Sequence, residues 1–321
     1  MPARSSKRRP PKTSSAIRAI PGLSVSSLIS GTDTNDQKQR RTAMNWKYLS
    51  LTVAVAGMAA AMPAKADQLD TIMSAKTLRC ATFADVPPFA SPDPKTREMA
   101  GFDVDLCGAI AKELGVKAEI KPVSVEARVP EVKLGRVDIT VANLAYTLSR
   151  AEQIQFSDPY YLAKEMLIVP ADDAGKTKAD YAGQRIASTK GSTSEMSIKL
   201  NKSEPLTFQD TASAYLAVQQ GKARGMVANT MTTTKFVNES KSKGKEMRMI
   251  EEPMLYQPIG IGMAKDQPAL TAKVNEILHK LDESGEINKI WDKWLGPNTE
   301  YKMTRTDKVV PLAQLKFDPI P

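Results

Sequence analysis

Gly101-Phe102-Asp103-Val104-Asp105-Leu106-Cys107-Gly108-Ala109-Ile110-Ala111-Lys112-Glu113-Leu114-Gly115 is the stretch on which the fold turns. Leu106, Cys107, Ile110, Ala111 and Leu114 recur on one face at 3.6-residue spacing, so a helix is expected over 103–114. Gly115 supplies its stop, because glycine accepts the left-handed conformation that ends helices. Before it, Leu78-Arg79-Cys80-Ala81-Thr82-Phe83 reads as a strand entering a proline-rich loop, Val86-Pro87-Pro88-Phe89. After it come a strand over 116–122, a short helix over 126–134 closed by Gly135, and a strand over 137–141. This βαβαβ alternation predicts a mainly parallel sheet covered by helices.

The pattern starts again after Phe156-Ser157-Asp158-Pro159-Tyr160-Tyr161. Strands are expected over 164–169, 184–189 and 224–228, with helices starting at 192, at 212 (stopped by Gly221) and at 231. A strand over 256–263 precedes an amphipathic helix over 270–281, with Leu270, Val274, Ile277, Leu278 and Leu281 on one side. A last helix over 286–295 carries Ile287, Ile290, Trp291 and Trp294, and both closing helices are expected to return to the first block. Two α/β blocks joined by more than one crossing leave a cleft between them. Open α/β sheets bind ligands beyond the carboxyl ends of their strands, which here places contacts just after residues 83, 141, 189 and 228.

The 321 residues are 41% apolar and 25% charged, ordinary for a globular chain with room for two cores. The formal charge of +9 resembles a nucleic-acid signal until its distribution is read. Residues 1–66 hold 11 of the 45 Lys/Arg and 2 of the 36 Asp/Glu, leaving 34 of each sign in the other 255 residues. A neutral body offers no electrostatic footprint for nucleic acid.

The basic extension divides in two. Residues 1–43 are rich in Ser, Arg and Pro without apolar periodicity, so they are expected to be disordered, or to lie upstream of a true start at Met44. Residues 44–66 read as a secretory signal peptide: Lys47 near the start, an almost uncharged run from Tyr48 to Met62, then Ala64-Lys65-Ala66 as the small-x-small site. Cleavage is expected after Ala66, with no Cys following for a lipid anchor. The apolar run of about 15 residues falls short of the roughly 20 that span a bilayer. In an exported chain Cys80 and Cys107 fit either a disulfide or two buried thiols.

Four segments in order carry a resemblance. Gly101-Phe102-Asp103-Val104-Asp105-Leu106 opens the first helix. Gly135-Arg136-Val137-Asp138 matches a G-K/R-x-D element, and Thr147-x-x-Arg150-Ala151 with Phe156-Ser157-Asp158-Pro159-Tyr160 matches T-x-x-R-A … F-S-x-P-Y. Gly191-Ser192-Thr193-Ser194-Glu195 matches a G-S/T-T-x-E loop. Over roughly residues 75–297 the chain resembles the family 3 bacterial extracellular solute-binding proteins, periplasmic polar-amino-acid-binding components of ABC transporters. The resemblance implies a two-lobed, type II periplasmic-binding-protein-like α/β fold with the ligand cleft between lobes. The first lobe is expected over 67–163, the second over 164–254, and a return with a C-terminal tail over 255–321. It also implies an amino-acid ligand, a membrane ABC permease as partner, a monomer, and neither cofactor, metal nor catalytic residue.

Arg150 is the leading candidate. A ligand carboxylate in a drying cleft suits a planar, two-pronged donor, and the family's matching Arg has that role; a structural Arg, or one paired with Asp158, is the alternative. Ser192 and Thr193 stand where a strand turns into a helix, whose free N–H groups favour an anion and whose first residue is also a plain cap. For the ligand ammonium the family uses Asp in a G-x-x-D-A-x-x-x-D stretch. Here Arg224 and Asn229 occupy the two Asp positions. Asn229 retains a carbonyl acceptor without the charge. The Ala142 carbonyl and Asn143 side chain are further acceptors, and Ala145 stands where many relatives carry a hydroxyl. Arg128 resembles an Arg that meets the side chain in acidic-amino-acid binders, and otherwise reads as a solvated helix residue. Phe83 suits an apolar ligand face, or a strand-end core position.

Trp291, Trp294 and Phe89 read as core, and His279, the single histidine, as exposed. A lone His makes no metal site. An enzyme on the same fold, a cyclohexadienyl dehydratase acting on prephenate or arogenate, is the competing class. It needs a general acid near the carboxylate pocket, for which Glu195 is the sequence candidate.

Overall fold

The computed structural model describes residues 67–321 apart from 243–244, 316 and 318–319. The expectations for 1–43 and for the signal peptide at 44–66 fall outside the described residues.

Helix α1 (Gln68–Ala75) leads into β1 (Thr77–Phe83). The short pair β2 (Ser91–Pro92) and β3 (Met99–Ala100) precedes α2 (Phe102–Leu114), then β4 (Lys117–Val123), α3 (Arg128–Lys133), β5 (Ile139–Ala145), the one-turn α4 (Leu148–Ala151) and β6 (Gln155–Phe156). The long β7 (Tyr161–Pro170) opens the second block, followed by β8 (Arg185–Thr189), α5 (Thr193–Leu200), β9 (Glu204–Phe208), α6 (Thr211–Gln219), β10 (Gly225–Asn229), α7 (Thr230–Ser242) and β11 (Met247–Met249). Strand β12 (Leu255–Met263) and helices α8 (Pro268–Glu283) and α9 (Glu286–Trp294) close the chain before an extended tail.

The main sheet runs β4-β1-β5-β12-β7-β10-β8-β9. Strands β4, β1 and β5 are parallel, as are β10, β8 and β9. The two parallel groups meet through the antiparallel pair β7–β12, each of whose strands is also antiparallel to its other neighbour.

Burial follows the sequence periods. On α2 the predicted stripe, Leu106, Cys107, Ile110, Ala111 and Leu114, is at most 6% exposed, each large apolar side chain contributing about 1.5–3 kcal/mol of transfer free energy. Gly115 takes φ +69° and its N–H bonds back to the Ala111 carbonyl. Gly101 cannot be replaced: a Cβ there would lie 2.1 Å from the Phe89 carbonyl oxygen. Strand β10 alternates between two cores. Met226 and Ala228 pack with Ala214, Tyr215 and Phe236, while Val227 packs on the other face with Leu167, Ile186 and Ile198. Around β1 and β5, the buried faces of α2, α8 and α9 form one cluster that includes Phe89 and Trp291. Cys80 on β1 and Cys107 on α2 are joined by a disulfide.

The tail runs back over the crossing strands. Arg305 donates to the Tyr160 carbonyl and to Asp282, the Leu162 amide donates to Asp307, and the Leu148 amide at the start of α4 donates to the Ile320 carbonyl. His279 is not simply exposed: its Nε2 lies 3.0 Å from Asp158 Oδ2.

Candidate functional site

The carboxyl ends of β1, β5, β8 and β10 converge on one small cavity of about 40 Å³, lined by both blocks. From the first come Phe83, Val125, Arg128 and Asn143; from the second Thr189, Ser192, Thr193 and Asn229; from the crossing strands Glu165 and Gln257. These are the strand ends at which open α/β sheets receive ligands.

Six of the nine sequence candidates line this space: Phe83, Arg128, Asn143, Ser192, Thr193 and Asn229. Arg150, Ala142 and Ala145 do not. Arg150 Nη1 donates to the Ala145 carbonyl at 2.9 Å and Nη2 to the Gly191 carbonyl at 3.0 Å. Its helix places it there: the Thr147 side chain accepts from the Arg150 amide and caps α4. The guanidinium thus reaches from the first block to the turn that begins α5. The alternative pairing with Asp158 does not occur, since that carboxylate meets His279. Gly191 has φ +73°, and a Cβ there would lie 3.0 Å from the Glu126 Cα, so the blocks touch at this turn. Lys190 and Glu126 form an ion pair at 3.0 Å over the same gap.

Arg128 is 4% exposed, which corrects the solvated alternative. Its Nε donates to Val125 and its Nη1 to the Ala142 carbonyl at 2.9 Å, and its guanidinium lies 5.0 Å from the Phe83 ring centroid. The Ala142 carbonyl therefore already has one donor. Burial, with the nearby Arg150 charge, lowers the Arg128 pKa to about 9, and burial lowers that of Arg150 to about 10. Both stay cationic at neutral pH.

Asn143 adopts φ +42° and accepts a hydrogen bond from the Tyr161 hydroxyl. Ser192 is the N-cap of α5, its Oγ accepting from the Glu195 amide and donating to the Thr189 carbonyl. Asn229 Oδ1 accepts from the Thr232 amide at 3.0 Å, opening α7. Arg224, at the other family Asp position, points to Asp173 and away from the cavity. Glu195 is also turned elsewhere, accepting from the Gly191 amide and pairing with Lys199.

Sequence reasoning passed over Glu165 and Gln257. Glu165 is 3% exposed and accepts from Ser194 Oγ at 2.6 Å, Gln257 Nε2 at 2.5 Å and Thr193 Oγ1 at 3.4 Å. Burial raises its pKa, opposed by those three donors. The Gln257 Oε1 and Thr232 Oγ1 atoms are buried without hydrogen-bond partners among the described residues. The signal was the period of β7, on which alternate residues 161, 163 and 165 are buried. The Arg128 guanidinium, the turn that opens α5 and one buried carboxylate form a lining of mixed charge, suited to a small zwitterion.

The sequence profile of the bacterial extracellular solute-binding proteins, family 3, matches residues 78–297. The ABC transporter glutamine-binding protein GlnH of Bacillus subtilis is 28% identical over 242 residues, covering 74% of this chain and 87% of that protein. ABC transporter arginine-binding protein 1 of Escherichia coli is 25% identical over 224 residues, 69% and 91% of the two chains. Among solved structures, an ancestral amino-acid-binding protein, a precursor of cyclohexadienyl dehydratase, superposes with a TM-score of 0.63 at 32% identity, covering 72% of this chain and 100% of that one. An ancestral arginine-binding protein bound to arginine gives 0.63 at 31% identity, over 69% and 99%.

Proposed function

The chain belongs to family 3 of the bacterial extracellular solute-binding proteins, and from that membership we propose that it captures an amino acid between two lobes and delivers it to an ABC importer. The observation that carries this reading is the cavity at the carboxyl ends of four strands, walled by both blocks and flanked by Arg128 and Arg150. Residues 67–163 with 255–321 form one lobe and 164–254 the other. Arg150, Ser192 and Thr193 hold the ligand carboxylate, beside Ala145. Asn229, Asn143 and the Ala142 carbonyl face its polar groups. Arg128 and Phe83 face its side chain.

The mechanism is closure. At about 40 Å³ the cavity has room for a few waters and not for an amino acid. The lobes must therefore part, and the Arg150–Gly191 bond must open, before ligand enters. Only a closed state touches ligand from both lobes, so ligand shifts the equilibrium toward it by its differential affinity. A micromolar affinity corresponds to about −8 kcal/mol.

The family's extracellular setting supports a periplasmic location. Export uses residues 44–66, cut after Ala66. Asp67, then the first residue, accepts from the Leu69 amide in α1 and from the Ala269 and Leu270 amides in α8. A cut further along removes a cap from two helices. Intact mass of exported protein tests the site, and a first residue other than Asp67 rejects it.

The likeness to a dehydratase precursor favours a second reading, an enzyme acting on prephenate. Against it, Glu195, the general acid the sequence offered, points out of the cavity to the Gly191 amide and Lys199. A thermal-shift screen of the purified protein against the twenty amino acids and prephenate decides, since stabilisation grows with the logarithm of ligand excess. Phenylpyruvate formed from prephenate would replace the transport reading with the enzymatic one.

A further inference from the structure

We infer that Glu165 supplies the negative charge for the ligand's α-ammonium, replacing across the β7–β10 pair the Asp that relatives carry at the position of Asn229. This rests on the amino-acid-binding reading above. Asn229 and Glu165 are direct partners in the antiparallel register. Directly opposed residues project from the same face with Cβ atoms roughly 4.5–5.5 Å apart. A charge moved from 229 to 165 therefore stays within reach of the same ammonium, and both residues line the cavity.

Three further observations support the assignment. Glu165 is the only acidic side chain among the described residues of the lining. Without it the one charged group left among the described residues of the lining would be the Arg128 guanidinium, a site for a plain carboxylate rather than an amino acid. Asn229 Oδ1 already accepts from the Thr232 amide and carries no charge, so it is a weaker ammonium acceptor than a carboxylate. Glu165 makes no ion pair among the described residues, although buried carboxylates are ordinarily paired. An ammonium has three donors. Glu165 takes one, and the partnerless Gln257 Oε1, whose amide nitrogen already donates to Glu165, is a second acceptor beside it.

The test begins with calorimetry of the purified protein against the twenty amino acids. If none binds, the amino-acid reading itself fails. If one binds, the tightest becomes the probe for Glu165→Gln, for Glu165→Leu (which suits the apolar run Met166-Leu167) and for Glu165→Gln combined with Asn229→Asp, with folding of each checked by circular dichroism. The expected result is a loss of at least ~30-fold in both single variants, with recovery of at least ~10-fold in the double variant, as suits a buried charged hydrogen bond. Affinity within threefold of wild type in a folded single variant overturns the inference. A loss that Asn229→Asp does not recover overturns the exchange between the two positions.

Discussion

The guanidinium of Arg150 donates to the carbonyl of Gly191 at 3.0 Å, so one side chain on α4 fastens the turn that begins α5 in the other block. The same side chain holds the Ala145 carbonyl on β5. Part of its surface remains open to solvent. Arg150→Ala is therefore expected to change stability little and to weaken ligand binding by about 2–5 kcal/mol. Arg150→Lys falls between, because a point charge cannot reproduce the planar fork. Calorimetry showing unchanged affinity in Arg150→Ala removes the residue from the site.

The Cys80–Cys107 disulfide ties β1 to α2 inside the apolar cluster of the first block and closes a loop with a sequence separation of 27. Loop-closure entropy alone assigns such a bridge about 2–4 kcal/mol. Cys80→Ser with Cys107→Ser should lower the urea midpoint accordingly, while ligand affinity stays within a few fold because neither cysteine lines the cavity. An unchanged midpoint would show that packing of α2 against β1 suffices without the bridge.

How far the sequence reached depended on whether a residue's partners were local. The stripe of α2, the glycine stops at 115, 135 and 221 and the parallel alternation were all legible, because period and turn chemistry act over a few residues. Strand β9, Glu204–Phe208, was missed: Pro205 and a weak apolar pattern hide an edge strand that only pairing with β8 defines. Helix α1 was missed for want of more than one deeply buried residue, Ile72. Within the site, Arg150 was named from its motif, but its bond to a carbonyl 41 residues later has no periodic trace. Arg128 and Glu165 are charged residues buried by partners distant in sequence, Ala142 and Phe83 for one and Ser194 and Gln257 for the other, so each read locally as solvent-facing or went unread.

Arg305 and Asp282 form a buried pair at 2.6 Å, their side chains 1% and 7% exposed, which anchors the tail to α8 and to the Tyr160 carbonyl. Removing one partner strands the other, so Arg305→Ala should cost about 3–5 kcal/mol. The Asp282 carboxyl lies below its ordinary value, because hydrogen bonds from Arg305 and the Val309 amide outweigh burial. A depressed folded pKa means stability that is present above the unfolded value and lost as pH falls through the folded one. Denaturant melts from pH 6 down to pH 2 should show that acid loss in wild type and a weaker one in Asp282→Asn. Parallel curves in the two proteins would refute it.

Asp103, the third residue of the opening motif, is fully buried, and neither carboxylate oxygen has a hydrogen-bond partner within 3.5 Å among the described residues. Burial pushes its pKa well above the usual carboxylate range, and the charge of Arg128 and the Asn143 backbone amide only partly oppose this. Below the unfolded value of about 3.9 both states are protonated and Asp103 contributes no slope. As pH rises further, the unfolded chain releases its proton first, so the folded state is progressively disfavoured until Asp103 itself ionises. Asp103→Asn removes that penalty while keeping the shape. Its unfolding free energy should match wild type near pH 4 and exceed it increasingly toward pH 8, by an amount on the order of 1–3 kcal/mol for an unsatisfied buried group. A variant less stable than wild type at pH 8 would mean that the ionised carboxylate is held by its surroundings, the N-terminal amides of α2 and Arg128, more strongly than its missing hydrogen bonds imply.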